Sequence, residues 1–149
     1  MDLLDPEAWV GVWGIDRRFE FETPGAPARF LGQATVRRVA PKRYLYEEEG
    51  FVEGSGTLIH ATQRYWLRPG EGSLEVSFAG EGELPFTSLR PAENGGLVGT
   101  HVCGPDRYTG SYRTAGPDAF EVEWRVEGPR KRGAIRSTLT RATDEMGYA

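Results

Sequence analysis

Trp13-Gly14-Ile15-Asp16-Arg17-Arg18-Phe19-Glu20-Phe21-Glu22 is the stretch that decides the fold. Trp13, Ile15, Arg17, Phe19 and Phe21 fall on one side of an extended chain, and Gly14, Asp16, Arg18, Glu20 and Glu22 fall on the other. A period of two belongs to a strand with one face buried. Arg17 is the single charge on the apolar face.

The same alternation recurs downstream. Phe30, Gly32, Ala34, Val36 and Arg38 share a face, and the small residues in the middle leave room for a close approach. Tyr44, Tyr46 and Glu48 share another. Leu74, Val76 and Phe78 alternate with Ser73, Glu75 and Ser77, and Phe120, Val122, Trp124 and Val126 alternate with acids and Arg125. Residues 57–68, 84–89, 97–114 and 135–141 complete the strands, with a bend or bulge expected at Gly104-Pro105. Turns are expected at Thr23–Pro27, Pro41-Lys42, Gly54–Gly56, Pro69–Gly72, Gly80–Gly82, Asn94–Gly96 and Gly128–Lys131. Upstream, Asp5-Pro6-Glu7 combines a capping acceptor, a first-turn proline and an acid, which predicts a short helix over residues 5–10 that plugs or covers the strands. The tail from Thr143 is expected to fray.

Strands at even spacing with short turns and almost no helix predict an all-β chain. Its expected form is a single antiparallel up-and-down β-barrel of about eight to ten strands, formed by residues 1–149 as one domain. The composition narrows the partners. A net charge of -4, with no basic run, argues against nucleic acid and anionic membranes. No apolar run approaches the roughly 20 residues of a membrane span. The single cysteine and the acidic N-terminus point to the cytoplasm. The expected partner is a small molecule, and the expected state a monomer or homodimer.

Candidate chemistry gathers in His101-Val-Cys103-Gly-Pro-Asp106-Arg-Tyr108. His101 and Cys103 share a strand face, and Asp106 and Tyr108 follow the Gly-Pro pair. Two readings stand. One is a polar network that ties down the bend. The other is ligand contact or general acid–base work by His101, assisted by Cys103, Asp106 or Tyr108. No metal site is expected, because His60 is the only other histidine and there is no second cysteine. Arg17, Arg38, Tyr44, Tyr46 and Glu48 interrupt apolar faces. If these point inward, either they pair internally, Arg17 with Glu48 for instance, or Arg17 and Arg38 hold an acidic ligand. Trp9, Trp13, Trp66 and Trp124 offer an aromatic ligand wall, with core plugging the favoured job for Trp13 and Trp124.

Gly11-x-Trp13 on the first strand, with Arg136 or Arg141 on the last, resembles the Gly-x-Trp and closing arginine of lipocalin-like, or calycin, barrels. In those barrels the arginine packs across a tryptophan on the floor, as cation–π attraction favours. The fuller pattern comprises Tyr46-x-Glu48-x-Gly50, Tyr65-Trp66-x-Arg68-Pro69, Pro85-Phe86, His101-x-Cys103-x-x-Asp106-x-Tyr108 and Trp124-x-Val126-x-Gly128-Pro129-Arg130-Lys131. It resembles a bacterial family of lipocalin-like proteins, the domain of unknown function 6314. The resemblance implies a β-barrel and no established activity.

The expectation is therefore a barrel that binds a small acidic or amphipathic molecule in its lumen. Its candidate contacts are Trp13, Arg17, Arg38, Tyr44, Tyr46, Glu48, Trp124 and Arg136. The alternatives are an enzyme built on His101, Cys103, Asp106 and Tyr108, and a structural or partner-binding barrel. No cofactor is expected, haem on His60 or His101 being the one variant to consider.

Overall fold

The structure is a computed structural model and describes residues 1–22, 28–54, 56–80 and 82–142. The turn expected at 23–27, the central residues Ser55 and Glu81 of two others, and the tail from 143 lie outside the described residues.

Ten strands follow a single turn of 3-10 helix at Pro6–Trp9: β1 (Gly11–Phe21), β2 (Arg29–Ala40), β3 (Arg43–Gly54), β4 (Thr57–Gly70), β5 (Ser73–Phe78), β6 (Pro85–Pro91), β7 (Leu97–Cys103), β8 (Asp106–Thr114), β9 (Ala119–Glu127) and β10 (Arg132–Arg141). Each pairs antiparallel with its chain neighbours, and β1 closes on β10 from Trp13 opposite Arg141 to Phe21 opposite Gly133. The result is a closed, up-and-down, lipocalin-like barrel. Closure satisfies what would otherwise be two open strand edges.

The alternation carries through. Trp13, Ile15, Ala34, Val36, Leu74 and Phe120 point inward and are buried, while their sequence neighbours face out. At Gly32, opposite Gly50 on β3, the close approach expected of β2 is filled from inside. A side chain there would lie 2.8 Å from the tip of the Phe30 ring.

The short N-terminal helix expected within 5–10 is one turn of 3-10 helix at Pro6–Trp9, because β1 begins at Gly11 and leaves no room for a second turn. Its cap is as expected, with the Glu7 N–H donating to Asp5 Oδ1 over 3.0 Å. Gly104-Pro105 is a hairpin turn rather than a bend, so 97–114 crosses the barrel wall twice. Gly104 has φ 58°, which suits the first central residue of a two-residue hairpin.

One end of the barrel is stoppered. Trp13, fully buried, donates its Nε1–H to the Trp9 carbonyl over 2.8 Å, and Trp9 donates to the Leu3 carbonyl over 3.0 Å. Tyr44 hydrogen-bonds the Glu7 carboxylate, fastening the turn to β3. The Arg141 guanidinium lies 4.3 Å from the Trp13 ring centroid and donates to the carbonyls of Val10 and Ala8 over 2.9 and 3.0 Å. Arg141 is therefore the closing arginine. Arg136, an odd number of residues away, faces outward on the opposite side of β10, where it pairs with Glu20 and Glu123.

Arg141→Ala is expected to lower unfolding free energy by about 2–3 kcal/mol, since it strands two carbonyls and removes a cation–π contact. Arg136→Ala is expected to cost no more than about 1 kcal/mol, as exposed ion pairs do. Urea denaturation of the two variants side by side measures both.

Candidate functional site: the barrel cavity

Above the Trp13 floor the lumen holds a cavity of about 340 Å3, lined mainly by aromatic and aliphatic side chains. Trp9 forms its base, and Tyr46, Tyr65, Phe86, Tyr112, Phe120 and Trp124 line its wall. His101, Cys103 and Tyr108 stand toward the end that carries the β7–β8 hairpin turn, opposite the stopper. That size is at the lower end of the range typical of small-molecule sites.

One charged pair lies in this apolar surround. Arg17 on β1 reaches across to Glu48 on β3 and donates two parallel hydrogen bonds, Nη1 to Oε1 at 2.7 Å and Nη2 to Oε2 at 3.0 Å. Its Nε–H donates to the Ser137 hydroxyl on β10 over 2.8 Å, and the Tyr46 hydroxyl donates to Glu48 Oε2 over 2.7 Å. Both charges are thus satisfied within the protein, as buried charges must be. Burial works against the Arg17 charge, but the Glu48 hydrogen bonds and charge outweigh it and raise the guanidinium pKa above its ordinary value.

The phenols around the pair are held neutral. Burial pushes Tyr112 up to about 12, although the hydrogen bond from the Trp124 indole pulls the other way. Burial, reinforced by the Glu48 charge, raises Tyr46 and Tyr65 well above the usual phenol range.

The seam between β6 and β7 is weak. Only Arg90–Val98 and Pro91–Leu97 are paired as ladder neighbours. Toward the mouth, side chains take over: the Thr87 hydroxyl donates to the Thr100 carbonyl over 2.8 Å, and His101 Nδ1 lies 2.8 Å from the Phe86 carbonyl. A carbonyl only accepts, so Nδ1 carries the hydrogen, and in a neutral ring Nε2 carries none. A register shift between Val76 and Ser77 sets Pro85 opposite Ser77 but Thr87 opposite Val76, which inserts Phe86 as an extra residue. Such a bulge lets Phe86 join Thr87 on the inner side, where its ring packs on His101 and Trp124.

The residues singled out in the sequence separate by position. Arg17, Tyr46, Glu48, Trp124, His101, Cys103 and Tyr108 line the cavity. Trp13 and Tyr44 belong to the stopper beneath it. Arg38 is exposed at the end of β2 and donates to the Ala40 carbonyl over 3.4 Å, and Arg136 is outside. Asp106 packs on the β9–β10 turn, where a side chain at Gly128 would lie 1.8 Å from its Oδ1. Among the described residues the hydrogen bond of His101 goes to Phe86, not to Cys103, Asp106 or Tyr108. Lys131 donates to the Tyr108 hydroxyl over 3.1 Å. His60 is on the outer wall, 3.4 Å from Glu49, so His101 is the histidine available to the cavity.

Tyr65, Tyr112, Phe86 and Ser137 were not foreseen as lining residues, whereas Trp9 was, and Trp66 packs under Arg43 instead of lining the cavity. For Tyr65 and Tyr112 the signal was there: Tyr65 alternates with Leu67 along one strand, and Tyr112 lies two and four residues on from Gly110 and Tyr108. No sequence pattern announces the bulge that turns Phe86 inward. Among the described residues no helix is long and apolar enough to cross a membrane. No three His, Cys, Asp or Glu side chains are gathered as a metal site among them.

A family model described as a family of unknown function, DUF6314, matches residues 9–141. A search of curated protein sequences finds no match. Among solved structures, the barrel is similar to an S-type phycobiliprotein lyase from Guillardia theta, with TM-score 0.66 and 14% identity, covering 93% of this chain and 90% of that one. It is also similar to a protein of unknown function from the DUF3598 family of Nostoc punctiforme, with TM-score 0.58 and 12% identity. That match covers 95% of this chain and 51% of the other, so this chain spans about half its length. A de novo designed fluorescence-activating β-barrel matches at TM-score 0.48 and 13% identity, over 92% of this chain and 96% of the design.

Arg17→Met is expected to cost about 3–5 kcal/mol, because it leaves Glu48 charged and buried without its partner, while Arg17→Met/Glu48→Met regains most of that loss. Chemical denaturation of the three proteins reads this directly. Alkaline pH supplies a second check. A phenol whose folded pKa is raised stabilises the fold fully below its unfolded value of 10.0, and that stability is lost as pH climbs toward 12. The denaturation midpoint is expected to fall across that window, with phenolate absorbance of the buried tyrosines appearing only as the barrel unfolds.

Proposed function

This chain belongs to the family of unknown function DUF6314, and for it we propose a small-molecule-binding protein, a single-domain barrel that holds an amphipathic ligand in its lumen. The observation that carries this is a cavity of about 340 Å3 left unfilled between an aromatic wall and one charge-balanced polar cluster. A barrel serving only as a scaffold gains by filling such a space, since empty apolar volume destabilises a core. Binding sites are built otherwise, with apolar walls and a few converging polar groups.

Arg17, Tyr46, Glu48, Tyr65, Phe86 and Trp124 are the proposed contacts. Exposed Ile59 and Leu84 at the mouth end give an apolar approach to the lumen. The likeness to the phycobiliprotein lyase supports the fold of such a vessel, and the ligand reading rests on the lining residues. Of the two ligand classes foreseen, the amphipathic one suits this lining. The acidic one required an unpaired Arg17, which Glu48 occupies. An enzymatic role for His101 is less well supported, because its Nδ1–H is spent on the Phe86 carbonyl and no nucleophile or acid is hydrogen-bonded to it among the described residues. The free, exposed Cys103 fits a reducing, cytoplasmic setting.

Native mass spectrometry of protein purified from its own cells, compared with the denatured mass, tests the proposal. An extra mass that departs on denaturation is expected. Ile135→Trp, which adds bulk to the cavity wall, is expected to weaken retention by about tenfold or more. A wild-type protein that neither retains a mass nor binds any apolar probe would sink the proposal.

A further inference from the structure

We propose that the cavity selects a planar aromatic ligand whose buried end is uncharged and offers a hydrogen-bond acceptor, such as a carbonyl or amide oxygen, and that Glu48 is the residue that sets this selectivity. This rests on the ligand-binding role proposed above and adds the ligand's chemical class.

A guanidinium has five N–H groups in a rigid fork. In Arg17 the Nε–H goes to Ser137, and one N–H of each terminal nitrogen goes to Glu48. One N–H on each terminal nitrogen remains. The Tyr65 hydroxyl stands on the same cavity wall, and among the described residues it makes no hydrogen bond within the protein. The cluster therefore offers spare donors but no spare charge, because Glu48 cancels Arg17.

An anionic ligand reaching for those donors would bring a second negative charge beside Glu48 in an apolar, poorly screened space, where like charges repel strongly. A cationic ligand finds Glu48 already engaged, with both carboxylate oxygens accepting from Arg17 and Oε2 accepting from Tyr46 as well. A neutral acceptor meets neither obstacle. The rings of Phe86, Trp124 and Tyr112 supply flat surfaces for an aromatic body, with the Phe86 and Trp124 centroids 5.2 Å apart.

Naphthamide and naphthoate share one shape and differ in charge, and titrating each into the protein followed by calorimetry tests the proposal. The wild type is expected to bind the amide about tenfold tighter than the ionised acid. Glu48→Gln leaves Arg17 without a counter-charge and is expected to reverse that order, because the guanidinium is then free to recruit a carboxylate. Ser137→Ala frees only the Nε–H and is expected to keep the amide preference. Naphthoate binding to the wild type as tightly as the amide would overturn the inference while leaving the binding role intact. So would a folded Glu48→Gln protein that still prefers the amide. If Glu48→Gln does not fold, the wild-type ratio and Ser137→Ala decide. Failure of both probes, together with no retained mass, would remove the binding role and this inference with it.

Discussion

The interior of this barrel is organised around one ion pair, Arg17 with Glu48. It joins β1 to β3 across the lumen, and through Ser137 and Tyr46 it draws in β10 and a second residue of β3. A charge placed on the inner face of a closed sheet cannot reach solvent by a small turn of its strand, because each strand is fastened on both sides. It must find a counter-charge inside. The phenols nearby respond to the same surroundings, held protonated by burial and by the Glu48 charge.

The two ends of the barrel are built for different work. At one, Trp13, Trp9 and Arg141 interlock ring, indole N–H and guanidinium with backbone carbonyls, so the short N-terminal turn is sealed under the lumen. At the other, the β6–β7 ladder gives out and two side-chain hydrogen bonds, from Thr87 and His101, hold the wall together. The closed end carries dense packing and the open end carries replaceable polar contacts, an arrangement that suits a vessel entered from one side.

Much of the fold was legible because a strand repeats every two residues and a closed barrel rewards that repeat on every strand. β1, β2, β5 and β9 declare their inner faces in their own letters. The site was legible in part for the same reason: Arg17, Tyr46, Glu48 and Trp124 sit at inward positions on strands with clear alternation. Parity also distinguishes Arg141 from Arg136, once the inward face of β10 is known. Tyr44 and Trp13 face inward as alternation says, yet they belong to the stopper, because position along the barrel axis is not written in a period. Arg38 continues the inward parity of β2 but lies at its exposed end. Phe86 escapes alternation because a bulge inserts one residue and resets the face.

The sequence by itself determined the strand count to within one or two, the antiparallel order and the inner face of the regular strands, since these follow from local alternation and turn chemistry. Tertiary structure alone decided that Arg17 is neutralised by Glu48, that Arg141 closes the floor, that His101 stitches a seam, and that an unfilled cavity remains. Each of these depends on register and closure between strands far apart in the chain, and a shift of one residue in any pairing would turn those side chains to the other face.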